Sequence, residues 1–194
     1  MPEKISLQSE IQRKIIHIGS GIIPLLVIFY GKDSILPYLF TFTILFIIID
    51  FLKIKVNWIQ NIYKFFFNSL SRNFELMQLT GASYVLTGYT IVLFIFPENI
   101  AVFSMLVLCV SDTFAALIGR VYGKNKIGYK TLEGTFAFIL VGFIISIYFQ
   151  NIPILFRIIA VIFAGLTELT FSKINDNLSI PLTVSLVCFL GTNI

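Results

Sequence analysis

An acidic residue and four cations lie close together in Ser111–Thr135, SDTFAALIGRVYGKNKIGYKTLEGT, a segment that separates two apolar stretches. Asp112 lies at the end of a hydrophobic helix, where burying a carboxylate costs free energy, so a compensating role is expected. Gly119, Gly123 and Gly128 would let the backbone approach a ligand closely. The cations suit phosphate binding, and they are Arg120, Lys124, Lys126 and Lys130. An acid that can hold a metal ion beside a basic loop predicts nucleotide chemistry at a membrane surface.

Asp112 is the first candidate for a magnesium ligand, because Mg²⁺ is usually held by one or two carboxylates together with substrate phosphates. The alternative is an acid that pairs with a neighbouring lysine for helix packing. Asp112 and Arg120 are eight residues apart, which is roughly 12 Å along a helix. We therefore expect them to contact different parts of one nucleotide rather than to form a salt bridge.

The loop Gly119–Thr131 resembles a phosphate-binding loop only superficially. Gly119, Gly123 and Lys124 have the wrong spacing for a Walker A motif, and Asn125 occupies the position of its Ser or Thr. A basic loop can also be no more than a signal of membrane topology. Its proximity to Asp112 and to the following KTLEGT segment favours phosphate binding.

The segment Lys130–Thr135, KTLEGT, begins the next apolar helix. Glu133 is a second candidate for the metal, although its charge also suits the positive N-terminal dipole of that helix. The residues around Glu133 that we expect to contact phosphates are Lys130, Thr131 and Gly134.

The N-terminal motif RKIIHIGSG contains the only histidine of the chain. Arg13 and His17 are four residues apart, so they share a helix face at the start of the first apolar run. They could act on a nucleotide, with Lys14 beside them, or they could be interfacial anchors. A single histidine excludes multi-histidine metal sites and disfavours a Ser-His-Asp triad.

Two acids near the C-terminus are further candidates. Glu168 lies near the end of an apolar run, where it could orient a reacting hydroxyl. Asp176 and Asn177, in the motif NDNLSIP, could complete a metal or ribose site. A simple turn explains the same residues equally well.

These residues must be positioned by membrane helices. The chain is 57% hydrophobic and 12% charged, with a mean hydropathy of +0.93, whereas soluble domains carry about 25% charged residues. We expect an all-α polytopic membrane protein with one domain, residues 1–194. About seven apolar runs predict transmembrane helices, at Ile15–Tyr30, Ile35–Leu52, Gly81–Phe96, Ile100–Ile118, Glu133–Phe149, Ile154–Phe171 and Leu178–Ile194. Val56–Phe74 is typical of an amphipathic interfacial helix.

The positions of the 14 lysines and arginines predict the topology. If the N-terminus is cytoplasmic, only Lys32 and Arg157 fall outside, which satisfies the positive-inside rule. The C-terminus is then outside, and the candidate acids and His17 lie at the cytoplasmic end of the helices. A cytoplasmic active site that faces a lipid is the simplest interpretation.

Four segments resemble the CTP-dependent lipid-alcohol kinases, a family that includes polyprenol and dolichol kinases, phytol and farnesol kinases, and the CTP-dependent diacylglycerol kinase of yeast. They are RKIIHIGSG at Arg13–Gly21, SDTFAALIGRVYGKNKI at Ser111–Ile127, KTLEGT at Lys130–Thr135 and NDNLSIP at Asn175–Pro181. The resemblance implies a multi-spanning enzyme with Mg²⁺ as cofactor and CTP as phosphoryl donor, working at the cytoplasmic face on a membrane lipid alcohol. It implies no nucleic-acid partner and leaves the oligomeric state open.

The resemblance also implies roles for single residues. Asp112 would bind the metal–triphosphate, and Glu133 would support the metal or the loop. Asp112 or Glu168 would orient or deprotonate the lipid hydroxyl, with His17 as a third catalytic candidate. Phosphate or nucleotide contacts are expected from Arg13, Lys14, Gly119, Arg120, Gly123, Lys124, Lys126, Lys130, Thr131, Glu133, Gly134, Asp176 and Asn177.

Two alternatives remain open from the sequence. A CTP:phosphatidate cytidylyltransferase would use the same nucleotide but release pyrophosphate, and the chain lacks the extended basic signature of that family. A transporter would also carry intramembrane acids, but it would more often contain repeats and discontinuous helices.

Overall fold

The chain folds almost entirely into helices in a computed structural model that describes residues 7–67, 78–170 and 175–192. It is 84% helical. The helices are α1 (Leu7–Gly19), α2 (Ile22–Tyr30), α3 (Lys32–Lys55), α4 (Asn57–Phe67), α5 (Gly81–Ile95), α6 (Glu98–Leu106), α7 (Asp112–Tyr122), α8 (Leu132–Ser146), α9 (Ile154–Thr170) and α10 (Asp176–Thr192). A two-stranded hairpin, β1 (Lys126–Ile127) and β2 (Lys130–Thr131), joins α7 to α8.

Three helical segments are long and apolar enough to cross a membrane by themselves. They are Glu10–Tyr30, Lys32–Lys55 and Glu98–Tyr122, of 21, 24 and 25 residues. The chain is therefore an all-α membrane protein. The seven crossings stay a prediction, because α5 and α8 have 15 residues each, or about 22 Å of helix, against a hydrocarbon core of about 30 Å.

The amphipathic helix predicted at Val56–Phe74 corresponds to α4, which covers its first part, and residues 68–74 lie outside the described residues. Three of the cations used for the topology, Lys4, Arg72 and Lys173, also lie outside them.

Contacts between helix ends show how the chain runs. At one end of the bundle, the backbone N–H of Lys32 donates to Glu98 Oε2 at 2.6 Å, which joins the starts of α3 and α6. At the other end, Lys53 near the end of α3 donates to the carbonyl of Gln78, just before α5, at 3.1 Å. Asn177 at the start of α10 donates to the carbonyl of Gly81 at 3.1 Å. We call this second end, which also holds Lys130 and Glu168, the polar end.

The helical segment Glu98–Tyr122 lies inside the bundle and contains a π-helical turn at Val107–Ser111, between α6 and α7. The sequence predicts Asp112 at the end of a hydrophobic helix, but the structure places it directly after this turn, ten residues before Tyr122. A π turn shifts the following side chains around the helix, and such turns occur frequently at functional sites. Asp112 is thereby presented to α1 from within the bundle.

A buried ion pair fixes the start of α5 against α3. Lys53 Nζ lies 3.0 Å from Asp50 Oδ1, and Asp50 Oδ2 accepts hydrogen bonds from the backbone N–H of Thr80 at 2.7 Å and the hydroxyl of Ser83 at 2.6 Å. Lys53 also lies 4.6 Å from the ring centroid of Tyr63 on α4. The network satisfies both charges, so it stabilises the polar end.

Lys53→Met is expected to lower the free energy of unfolding by about 3–5 kcal/mol, because it leaves the Asp50 carboxylate buried without its cation. Lys55→Met, two residues later on an exposed position of α3, is the matched control and should stay within about 0.5 kcal/mol of the wild type. Thermal unfolding in detergent measures both. Equal stability of the two variants would contradict a stabilising role for the pair.

Candidate active site

Asp112 is buried in an ion-paired cluster with two residues of α1. Its Oδ2 lies 2.5 Å from Lys14 Nζ and 3.2 Å from His17 Nε2. Lys14 also donates to the backbone carbonyl of Asp112 at 3.2 Å, and His17 Nε2 lies 3.3 Å from the carbonyl of Leu108 in the π turn. The cluster depends on spacing, because residues three apart on α1 face the same side.

Arg13 is directed away from this cluster. The sequence pairs Arg13 with His17 on one helix face, whereas the structure brings Lys14 and His17 to Asp112. Arg13 Nη1 instead lies 3.2 Å from Glu10 Oε2, within α1. Residues three apart and residues four apart can both share a helix face. Here α7 contacts the face of α1 that carries Lys14 and His17, which are three apart.

A second cluster forms around Lys130, which lies on β2 just before α8. Lys130 Nζ lies 2.5 Å from Glu168 Oε1 and 2.8 Å from Asp176 Oδ2. The second oxygen of Glu168 accepts a hydrogen bond from Thr135 Oγ1 at 3.2 Å. The structure therefore brings together one cation and two acids from β2, α9 and α10, which the sequence places far apart.

The charge of Lys130 is secured by its neighbours. Burial by itself lowers the pKa of the Lys130 ammonium, but attraction to Asp112, Asp176 and Glu168 outweighs it and raises the pKa above the ordinary value. A raised lysine pKa contributes stability below the unfolded-state pKa of about 10.4, and that stability is lost only at higher pH. Lys130 therefore stays a cation throughout the neutral range. Asp112 thus acts on Lys130 by electrostatic attraction.

The β1–β2 hairpin positions Lys130. Its two-residue turn is formed by Gly128 and Tyr129, and Gly128 has φ +60°, a conformation that glycine adopts readily in tight hairpins. Lys126 on β1 pairs with Thr131. The other predicted cations of this region are exposed at the polar end, and they are Arg120, Lys124 and Lys126.

Two glycines that the sequence assigns to phosphate binding lie in a helix–helix contact. A Cβ on Gly119 would lie 2.7 Å from Thr131 Oγ1, and a Cβ on Gly134 would lie 2.7 Å from the carbonyl of Ala115. Thr131 caps α8, since its hydroxyl accepts a hydrogen bond from the backbone N–H of Gly134 at 3.1 Å. These contacts hold α7 against α8 and against Thr131 of the hairpin. Phosphate binding by the glycines stays a prediction.

Gly134→Ala is expected to destabilise the protein by about 1–3 kcal/mol, since an added methyl group would collide with backbone atoms of α7. Gly19→Ala is the matched control, because a Cβ there meets nothing within 4 Å. Unfolding temperatures in detergent compare the two. A Gly134→Ala protein as stable as the control would show that this close packing is dispensable.

Glu133 and Asn177 make other contacts. The Glu133 carboxylate accepts hydrogen bonds from Asn125, at 2.9 Å from Nδ2 and 3.1 Å from the backbone N–H. Asn177 follows a turn, since its backbone N–H donates to Asn175 Oδ1 at 3.0 Å. Glu133 and Asp112, our two sequence-based metal ligands, thus belong to different hydrogen-bond networks. Their joint action on a metal stays a prediction.

The donor set fits a magnesium ion that is held partly by substrate. Among the described residues, no three His, Cys, Asp or Glu side chains are grouped to hold a metal. Glu168 and Asp176, however, both place a carboxylate oxygen within 2.8 Å of one ammonium nitrogen. The Lys130 ammonium thus occupies the position between the two carboxylates that a metal ion would take. Two hard carboxylate oxygens are what Mg²⁺ requires when phosphates supply its remaining ligands.

Comparison with known proteins places the chain in a family. It is 31% identical to CTP-dependent diacylglycerol kinase 1 of Saccharomyces cerevisiae, over 70% of this chain and 48% of the yeast protein. It is 29% identical to probable phytol kinase 1, chloroplastic, of Glycine max, over 94% of this chain and 67% of the soybean protein. The chain belongs to the CTP-dependent lipid kinase family.

This member of the CTP-dependent lipid kinases is also 32% identical to uncharacterized protein RP860 of Rickettsia prowazekii, over 91% of this chain and 92% of that protein. The chain spans about half the length of the yeast kinase. No family model and no solved structure matches the chain. Family membership confirms the resemblance that the four sequence segments carry.

Proposed function

We propose that this protein transfers the γ-phosphoryl group of CTP to the hydroxyl of a membrane lipid alcohol, at the cytoplasmic face. The observation that carries the proposal is the contact of Glu168 and Asp176 with Lys130, together with the contact of Asp112 with Lys14. Several carboxylates and lysines at one end of a membrane bundle suit a metal–triphosphate. The names of the related kinases support CTP as the donor and a lipid alcohol as the acceptor.

The proposed reaction needs little covalent chemistry from the protein. The lipid oxygen forms a bond to the γ-phosphorus, the bond from that phosphorus to the β–γ bridging oxygen breaks, and CDP leaves with the bridging oxygen. The hydroxyl proton passes to a carboxylate, Asp112 or Glu168. Because phosphoryl transfer has a loose transition state, positioning and charge neutralisation do most of the work.

The lysines would provide that neutralisation. Lys130 already binds two carboxylates at the polar end, and Lys14 lies against Asp112. On nucleotide binding, both ammonium groups would exchange a carboxylate partner for phosphate oxygens. The exposed cations nearby would raise the local concentration of the anionic nucleotide, and they are Arg120, Lys124 and Lys126. His17 would orient Asp112 rather than touch substrate.

Magnesium is the cofactor that this arrangement would use. Glu168 and Asp176 would hold it, with Asp112 as a third candidate and Glu133 as the further candidate from the sequence. When bound, the ion would neutralise charge on the β- and γ-phosphates. The excess of lysines and arginines at one predicted membrane face and a cytoplasmic nucleotide pool favour the N-terminus inside and the C-terminus outside.

The decisive experiment uses purified protein with Mg²⁺ and γ-labelled CTP or ATP. The acceptors are diacylglycerol, phytol, farnesol and a long polyprenol, each in phosphatidylcholine nanodiscs. We expect label in one of these lipids, CDP as the nucleotide product, and CTP preferred over ATP. Unlabelled lipid together with pyrophosphate and a CDP-lipid made from phosphatidate would refute the kinase and assign a cytidylyltransferase instead.

A further inference from the structure

An apolar groove runs along the side of the bundle between α7 and α8. Its volume is about 850 Å³. Two rows of residues spaced four apart form its walls, which is the spacing of one helix face. They are Val110, Phe114 and Ile118 on one wall and Phe136, Leu140 and Ile144 on the other. Phe136, Leu140 and Ile144 are exposed on the outside of the bundle, so the groove would face lipid in a membrane.

Polarity is confined to one end of this groove. Among the described residues that line it, the polar ones are Asn125 and Glu133. Asn125 donates to the Glu133 carboxylate through both its side chain and its backbone, so the carboxylate is fixed while keeping acceptor capacity. A long apolar wall with one hydrogen-bond acceptor at its end matches an amphiphile with a single small polar group.

The length of the groove matches a hydrocarbon chain. Ile144 lies 11 residues after Glu133 on α8, which is roughly 17 Å of helix and close to half of a hydrocarbon core of about 30 Å. A smaller hollow of about 430 Å³ shares Val110, Ile144 and Ile145 with the groove and extends it to Tyr148. The track therefore accommodates one chain that reaches at least the middle of the bilayer.

The polar end of the groove adjoins the lysine–carboxylate cluster. Glu133 and Thr135 flank Gly134 in the first turn of α8, and Thr135 Oγ1 donates to Glu168 at 3.2 Å. Residues two apart on a helix point to opposite sides. One turn of α8 thus presents Glu133 to the groove and Thr135 to Glu168, and Lys130 precedes that turn.

We propose that this groove binds the hydrocarbon chain of the lipid alcohol acceptor, with the acceptor hydroxyl donating a hydrogen bond to Glu133. The inference rests on the proposed function. In this arrangement Glu133, rather than Asp112 or Glu168, receives the hydroxyl proton and takes no part in metal binding. Asp112, Glu168 and Asp176 are left for the nucleotide and its metal. The γ-phosphoryl group then approaches across the amino-terminal end of α8, beside Lys130.

Photolabelling tests the groove without any turnover. The probe is hexadecanol with a diazirine in the distal half of its chain, in phosphatidylcholine nanodiscs. We expect label on α8 between Phe136 and Ile145, and its loss when excess phytol or diacylglycerol is added. Uniform labelling of all lipid-facing helices would overturn the proposal and mark a surface for bulk lipid. So would labelling of the same residues by a diazirine-bearing phosphatidylcholine that excess phytol or diacylglycerol does not reduce.

A pair of tryptophan variants separates this inference from the proposed function. Leu140→Trp fills the groove, whereas Leu186→Trp changes an equally exposed leucine on α10, 53% against 47%. In the kinase assay, Leu140→Trp should raise the KM for the lipid at least about tenfold, from lost methylene burial, and leave the KM for CTP unchanged. Leu186→Trp should leave both constants unchanged.

The two proposals fail in different ways. A wild-type protein that phosphorylates no acceptor refutes the proposed function, and photolabelling still decides whether the groove binds a lipid alcohol. An active wild type whose lipid KM is unaffected by Leu140→Trp, or equally affected by Leu186→Trp, refutes the groove alone.

Discussion

Asp112→Asn is expected to reduce turnover by about a thousandfold, the upper end of the range for loss of one electrostatic group in an active site. The substitution keeps the shape of the side chain but removes the charge that faces Lys14 at 2.5 Å and His17 at 3.2 Å. It also removes a charge that acts on Lys130. Initial rates with labelled CTP measure the loss, and Asp33→Asn, an exposed carboxylate on α3, is the matched control and should leave the rate unchanged.

Asp112→Asn would lose activity if Asp112 acts on the metal–triphosphate, and also if its ion pair with Lys14 only packs α1 against α7. A double variant separates these two explanations. Asp112→Asn alone leaves the Lys14 ammonium buried without its partner, which costs about 3–5 kcal/mol of stability. Lys14→Met combined with Asp112→Asn removes both charges and should recover most of that stability. If Asp112 acts on the metal–triphosphate, the double variant stays inactive. Recovery of activity with recovery of stability would show that the pair only packs α1 against α7.

Most of the fold could be predicted from the sequence because lipid imposes a simple rule. Backbone groups in a bilayer must be satisfied within helices, so apolar runs such as Ile35–Leu52 and Ile154–Phe171 correspond closely to α3 and α9. The π turn before Asp112 could not be predicted. Its residues are as apolar as those of a regular helix, and only tertiary packing selects the wider turn.

The candidate site was predictable in composition but not in pairing. The sequence singles out Asp112, Glu168 and Asp176, yet it cannot tell that two of them share Lys130, because α9 and α10 are brought to the hairpin by packing alone. Thr135, which donates to Glu168, was missed. Its only signal is its position four residues after the helix cap Thr131, and a threonine there usually bonds its own backbone, as this one also does.

The two clusters explain why few charges suffice for the proposed chemistry. Each of these acids already contacts a cation, Asp112 with Lys14, and Glu168 and Asp176 with the shared Lys130. A metal–triphosphate brings both charge types, and each lysine and carboxylate can exchange its partner for a substrate group without net desolvation.

Lys130→Met is expected to abolish nucleotide binding as well as turnover, with a loss of about a thousandfold or more in kcat/KM. Lys130 is the one residue in contact with both Glu168 and Asp176 among the described side chains, and without it two neighbouring carboxylates would repel both each other and the phosphates. Lys130→Arg keeps the charge and should retain partial activity, because its larger planar head cannot reproduce the same short contacts.

Three measurements decide the role of Lys130: turnover, the rise in unfolding temperature caused by Mg²⁺ and CTP, and the same rise caused by Mg²⁺ alone. The nucleotide-dependent rise should vanish in Lys130→Met, since ligand that does not bind cannot stabilise the folded state. Lys126→Met, an exposed cation on the same hairpin, should lose less than about tenfold in kcat/KM, because screened surface charges contribute little. Equal losses in both variants would mean that the loop acts only through its total charge. A Lys130→Met protein within tenfold of the wild type would remove Lys130, and the cluster built on it, from the reaction.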